Sequence, residues 1–193
     1  LSALARKGVR VEWSPCLPDG RPDLGALLRL CAKPARALAV THGSNVSGAL
    51  VPLDSAAEAA RRAGALLVID AAQTAGAFDI GLDGLGPAAL AFTGHKAMLG
   101  PGGTGGIVFS AEADIDALEP ALRGGTGSAS ESEEQPPFMP DRFEAGTHNG
   151  AGLAGLAAGL TWIEDRGRSV LRTREQALTE RLIEGLRRIG GVR

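Results

Sequence analysis

Short apolar runs alternate along this chain with longer stretches in which apolar residues recur at helical spacing. "RALAVTHGSN", "ALLVID", "AALAF" and "GIVFS" each hold an apolar run without an alternating polar face, and "PLDSAAEAARRAG" lies between the first two. A strand covered on both sides is apolar throughout, so this order predicts a strand–helix–strand unit in a mostly parallel sheet layered with helices. The class is α/β. The helix is expected over 54–63, capped by Asp54 or Ser55 and ended by Gly64. "VRVEW" reads as a further strand, followed by the turn "SPCLPDGRP" and a helix around 22–32 with Pro22 in its first turn. "AALAF" and "GIVFS" read as neighbouring strands joined by residues 93–105.

Beyond the last run, residues 111–148 are loop-rich, and "GGTGSASESEEQPPFMPD" either moves freely or wraps a partner subunit. "AGLAGLAAGLTWIEDRG" opens a long helical region near 150, rich enough in Ala and Leu to be buried. The charged helix over 168–188 is expected to show a solvated face. "LSALARKG" resembles a helix tail stopped by Gly8, and "RLIEGLRRIGGVR" leaves a helix to enter another strand, so a longer enzyme is expected.

Composition narrows the function. With 193 residues, 44% of them hydrophobic, the chain can bury one sizeable core. A net charge of −2 gives no long-range attraction to phosphate backbones or anionic lipid, so no nucleic-acid or membrane partner is expected. No apolar run approaches the roughly 20 residues of a membrane span, and no signal peptide opens the chain; a cytoplasmic protein is the expectation. Cys16 and Cys31 read as reduced thiols, and the three histidines lack the spacing of a metal cage.

Ligands in open α/β sheets sit beyond the carboxyl ends of the strands. That rule gathers Thr41, His42 and Asn45 after the first run, Asp70 and Gln73 after the second, and Thr93, His95 and Lys96 after the third. Gly100, Gly102 and Gly105 spell G-x-G-x-x-G but precede a strand, so the phosphate-holding helix end is missing. Lys96 precedes the glycines, contrary to a P-loop, and no G-x-S-x-G elbow occurs. A lysine among apolar and hydrogen-bonding groups can attack a carbonyl to form an imine, which is what pyridoxal 5'-phosphate requires. That cofactor also needs a carboxylate at its ring nitrogen, a donor at its phenolic oxygen and a polar cradle for its phosphate. Asp70 supplies the first; Asn45 and Gln73 are available for the second, Thr93 and His95 for the third. Ala72 leaves room for a flat ring. His42 is placed behind the site, His148 is structural, and Arg142 is expected to pair with Glu144 and order the loop.

"THGSNVSG", "VIDAAQTAG", "FTGHKAMLGPGGTGG" and "DRFEAGTHN" together resemble the class V aminotransferase family of pyridoxal phosphate enzymes, closest to its cysteine desulfurase branch, through most of residues 1–165. The resemblance implies a three-layer fold type I large domain, its mostly parallel sheet carrying helices on both faces. It spans 1–165 and is incomplete at its start, with 166–193 leading to a C-terminal small domain. It makes Lys96 the cofactor-bearing lysine, with Asp70 at the pyridine nitrogen, Gln73 at the phenolic oxygen, Thr93 and His95 at the phosphate, and Asn45 near the ring. Thr147, in "RFEAGT", would reach the phosphate bound by the other subunit of a homodimer. The implied reaction removes sulfur from L-cysteine, leaving alanine and an enzyme persulfide that is passed to an acceptor protein. Neither Cys16, between two prolines, nor Cys31 matches the persulfide-bearing nucleophile. An aminotransferase or lyase acting on another amino acid, and a noncatalytic pyridoxal phosphate binder, remain the alternatives.

Overall fold

The structure, a computed structural model, describes residues 2–128 and 131–191. Four strands, β1 (Ala37–Thr41), β2 (Leu66–Asp70), β3 (Ala88–Thr93) and β4 (Gly105–Phe109), form one sheet in that order. The first three are parallel, and β4 returns antiparallel to β3. Around them lie α1 (Ser2–Arg6), α2 (Leu24–Leu30), α3 (Leu53–Ala63), α4 (Gly150–Arg166) and α5 (Arg168–Arg187).

Helix α3 buries five alanines, Ala56, Ala57, Ala59, Ala60 and Ala63. Side chains this small let the helix lie close to the sheet, where Ala56, Ala57 and Ala60 join Leu67, Ile69, Ala88 and Leu90 in the main core. Gly64 ends the helix in the left-handed region (φ 61°), as expected of a glycine there. Neither Asp54 nor Ser55 caps the start: Pro52 holds the cap position without a side-chain bond, and Asp54 sits in the first turn. A carboxylate there still meets the positive end of the helix dipole. On the outer side, Leu27 and Cys31 of the α2 region pack on Ala59 and Ala63.

Helix α2 is shorter than expected. Asp23 is its cap, accepting the Ala26 N–H at 2.8 Å, and Pro22 stands before it in an isolated bridge to Cys16. A side chain that satisfies a free amide outranks a proline that merely suits the backbone. Residues 9–13 form no strand; Val9 and Trp13 are 50% and 69% exposed. β-propensity does not make a strand without a neighbour to pair with, and none lies beside them among the described residues.

Helix α4 starts where expected, with Asn149 accepting the Gly152 N–H at 3.0 Å. It is largely exposed rather than buried: Leu156 and Ile163 are covered, while Leu153 and Trp162 are exposed. Only one narrow face, with Gly155, Leu156 and Gly159, meets residues 94–101. Helix α5 buries no residue, in keeping with the solvated face expected of it. After it, residues 188–191 form turns; 192–193, where a following strand was expected to begin, lie outside the described residues. So do 129–130 of the polar loop, whose other residues between 111 and 148 form neither helix nor strand.

Candidate active site

Successive residues of a strand face opposite sides, and the register therefore decides which side chains meet. Thr41 lies opposite Asp70 and Asp70 opposite Ala91, two residues before Thr93, so Thr41, Asp70 and Thr93 share one face at the carboxyl ends of β1 to β3. Val40, Ile69 and Leu90 occupy the other face, toward α3. Each strand then reverses in a turn, and these turns carry the other expected residues: Asn45 after β1, Ala72 and Gln73 after β2, His95 and Lys96 after β3.

Two glycines make the three turns contiguous. A Cβ on Gly43 would stand 2.7 Å from Thr74 Cγ2 and 3.7 Å from Gln73 Cβ, so the β1 turn lies directly on the β2 turn. A Cβ on Gly76 would stand 2.7 Å from the Ala97 carbonyl oxygen, so the β2 turn in turn abuts the loop bearing Lys96. Gly76 also has φ +88°, which favours glycine independently of the contact.

The Lys96 loop is tightly tied. Gly94 N–H donates to the Thr104 carbonyl at 2.8 Å, Gly100 N–H to the Gly94 carbonyl at 2.7 Å, and Leu99 N–H to the Lys96 carbonyl at 2.9 Å. Closing this turn puts Leu99 at φ 58°, where a non-glycine residue is strained. Behind the loop, Leu156 of α4 packs against Gly94 and Gly100, and Gly159 approaches the Met98 and Leu99 carbonyls. Lys96 is half-buried on this fixed base and His95 is exposed. Thr93 Oγ1 and His95 Nδ1 are hydrogen-bonded at 2.6 Å, a paired hydroxyl and imidazole beside the lysine. Asp70 is exposed at the strand end, its Oδ1 accepting the Ala72 N–H at 3.0 Å. That bond turns the chain and leaves Oδ2 unengaged by it.

Behind the exposed groups sits a buried pair. His42 Nδ1 and Thr74 Oγ1 lie 2.9 Å apart, with the residues 8% and 1% exposed. Burial holds the His42 pKa below its usual value, favouring the neutral ring. Burial also pushes the Cys31 thiol up, keeping it protonated. Cys16 is exposed, and both cysteines are free, as expected.

Asn45, Asp70, Ala72, Gln73, Thr93, His95 and Lys96 thus lie at three adjoining strand exits, Asp70 and Thr93 as the last strand residues and the others on the turns. Thr147 is exposed in the segment before α4, and among the described residues no hydrogen bond links it to those turns. The expected Arg142–Glu144 pair does not form. Arg142 reaches back to Asp116, donating to its Oδ1 at 3.1 Å and to the carbonyls of Asp116 and Leu118 at 3.0 Å each. One guanidinium satisfies three acceptors there, more than a pair with Glu144 offers. Glu144 instead faces His148 at 3.2 Å. Among the described residues no cluster of three or more His, Cys, Asp or Glu could hold a metal, and no helix is long and apolar enough to cross a membrane.

Gly43, Thr74 and Gly76 are absent from the residues the sequence singled out, yet they set how the turns meet. Their signal was present in outline: a glycine next to a strand exit, and a hydroxyl beside Gln73 in a turn otherwise made of alanine and glycine.

An α/β domain with a lysine and a carboxylate at adjoining strand exits defines a class, and the family model for aminotransferase class-V matches residues 1–193. The chain belongs to that family. It is 35% identical over 193 residues to a probable cysteine desulfurase 2 of Mycobacterium leprae, covering 98% of this chain and 45% of the relative. It is 36% identical to a probable cysteine desulfurase of Xylella fastidiosa over 190 residues, 97% of this chain and 45% of that protein. The apo cysteine desulfurase of Thermococcus onnurineus superposes with a TM-score of 0.82 at 35% identity, over 96% of this chain and 46% of that one. The Escherichia coli cysteine desulfurase CsdA gives 0.81 at 29% identity, over 98% and 48%. The chain therefore spans about half the length of the curated relatives it matches. With these neighbours, the mixed, mostly parallel sheet and its helices fit a fold type I α/β domain.

Proposed function

We propose that the protein is a pyridoxal 5'-phosphate-dependent cysteine desulfurase, taking sulfur from L-cysteine to leave alanine and an enzyme persulfide. The contiguity of the three strand-exit turns supports this reading, because a half-buried amine, a carboxylate and a hydroxyl–imidazole pair stand at adjoining strand exits. The donor set fits the cofactor: Lys96 for its carbonyl carbon, Asp70 for its ring nitrogen, Gln73 and Asn45 for its phenolic oxygen, and Thr93 and His95 for its phosphate. Ala72 leaves space beside the ring. When bound, the cofactor supplies an electron-withdrawing ring that stabilises negative charge at the amino acid Cα.

Asp70 keeps a negative charge beside the ring nitrogen, and Lys96 Nζ takes and returns the substrate's Cα proton. The Thr93 hydroxyl and the His95 imidazole anchor the phosphate by hydrogen bonds. Thr147 is assigned to the phosphate in the partner subunit of a homodimer, and the persulfide goes to an acceptor protein in the cytoplasm. Cys31 cannot attack the substrate, since it is buried against α3 and its thiol is held protonated. Cys16, exposed between two prolines, does not match the persulfide-bearing nucleophile, so the nucleophilic thiol is assigned to the part of the relatives' length that this chain does not span. Residues 1–165 act as the cofactor domain, and 166–193 as the lead into a small domain.

The test uses the natural protein. It should purify yellow, and borohydride reduction followed by peptide mapping should place a pyridoxyl group on Lys96. L-Cysteine should yield sulfide under a reductant and one alanine per sulfur; amino transfer to a keto acid without sulfide release would instead make it an aminotransferase. A Lys96→Ala variant that stays yellow and active overturns the site.

A further inference from the structure

The buried His42–Thr74 pair has no place among the groups that would touch the cofactor, yet it joins the two turns that bear Asn45 and Gln73. The residues are 32 apart in sequence and their polar atoms are 2.9 Å apart in a nearly dry environment. Both backbones are fixed as well. His42 N–H donates to the Asp70 carbonyl at 2.9 Å, and the His42 carbonyl accepts from Val51 N–H at 2.9 Å. Thr74 N–H donates to the Ala71 carbonyl at 3.0 Å, while its own carbonyl accepts from Ala77 and Phe78 at 3.1 and 2.9 Å. Thr74 is thus the pivot of the β2 turn, and Gly43 admits its methyl group where a Cβ would collide. Phe78 closes the far side, its ring set edgewise to His42 at 6.1 Å.

We propose that the His42–Thr74 hydrogen bond is a positioning device, setting the β1 turn with Asn45 against the β2 turn with Asp70 and Gln73 so that both address the same ring. The inference rests on the site assignment above and adds two residues that act through others. A buried hydroxyl and imidazole that lose each other are left without water to replace the bond, so the turns must shift to rehydrate them. Any shift moves Gln73, which adjoins Thr74, and Asn45, three residues from His42, relative to Asp70.

The variants are Thr74→Val, which keeps the shape and removes the hydroxyl, Thr74→Ser, which keeps the hydroxyl, and His42→Gln. They are made in the natural protein and compared as holoenzyme and after cofactor removal. Thr74→Val should weaken pyridoxal phosphate binding about tenfold and shift the visible absorption band. Without cofactor it should speed amide exchange at residues 43–46 and 71–75 by about tenfold, leaving α3 protected. Thr74→Ser should remain near wild type in each measurement. Should Thr74→Val fail to fold, His42→Gln and Thr74→Ser carry the same comparison, His42→Gln expected to behave as Thr74→Val and Thr74→Ser as wild type. Wild-type binding, spectrum and exchange in a folded Thr74→Val or His42→Gln overturn the proposal, as does a Thr74→Ser variant as impaired as Thr74→Val. If reduction fails to label Lys96, the site assignment falls, while exchange in the cofactor-free protein still decides whether the pair holds the turns together.

Discussion

Asp70 and His42 show two ways in which a titratable side chain can sit at a strand exit. Asp70 is exposed and takes a single backbone bond through Oδ1, so an amide in its place can keep that bond while losing the charge. Asp70→Asn should therefore fold and bind cofactor, yet lose roughly 10²–10³ in kcat, the range for removing one preorganised charged or polar group at a reacting centre. Steady-state sulfide release, with the visible band as a check on loading, measures it. His42 is buried and neutral, and its folded pKa lies below the unfolded one. The unfolded chain then binds the extra proton first, so His42's contribution is present above the ordinary histidine value of about 6.5 and is lost as pH falls toward the folded pKa. Melting temperature should drop with acidification through that window, and His42→Gln should flatten this part of the profile. A profile unchanged by the substitution would show that other groups set it.

At the scale of elements, glycine placement separates contacts that look alike in sequence. Gly159 of α4 and Gly185 of α5 both sit inside helices, where alanine is intrinsically better by about 0.5–1 kcal/mol. A Cβ at Gly159 would lie 2.7 Å from the Met98 carbonyl oxygen and 2.9 Å from that of Leu99, both backbone atoms of the lysine loop, whereas one at Gly185 meets nothing within 4 Å. Gly159→Ala should destabilise by about 1–3 kcal/mol, since overpacking outweighs propensity. Gly185→Ala should stabilise by about 0.5–1 kcal/mol. Denaturant midpoints with unchanged slopes would check both signs, and a stabilising Gly159→Ala would refute the close packing of α4 on this loop. The four paired strands, α3 and its Gly64 stop were legible because continuous apolar runs and a left-handed glycine are local signals. Residues 9–13 misled because pairing is not local. Arg142 misled for the same reason, since Asp116, 26 positions away, offers more acceptors than Glu144 beside it. That Asn45, Asp70, Gln73, Thr93, His95 and Lys96 stand at strand exits could be read from the apolar runs before them, but that Gly43 and Gly76 press the turns together requires the folded register.

For the whole molecule, the strand exits belong to a sheet whose stability is unevenly spread. Strands β2 and β3 and helix α3 share the main core, while α5 buries nothing and is held to the domain partly by Arg168 on Asp79 at 2.9 Å and Arg172 over the Phe78 ring at 3.9 Å. Exposed contacts of this kind are worth at most about 1 kcal/mol each. A ligand gripped by three strand exits stabilises the unit those strands share, by about 2.7 kcal/mol when present at a hundred times its Kd. Saturating the cofactor-free natural protein with pyridoxal phosphate should therefore raise its melting temperature by several degrees and slow amide exchange at residues 41–46, 70–76 and 93–100. Residues Arg168–Arg187 should change least, because their exposed contacts open without disturbing the core. Lys96→Ala should remove most of the thermal gain, since the covalent attachment is then lost and only the polar contacts of Asn45, Asp70, Gln73, Thr93 and His95 remain. Uniform protection over the chain, or protection centred on α5, would place the ligand elsewhere than the carboxyl ends of β1 to β3.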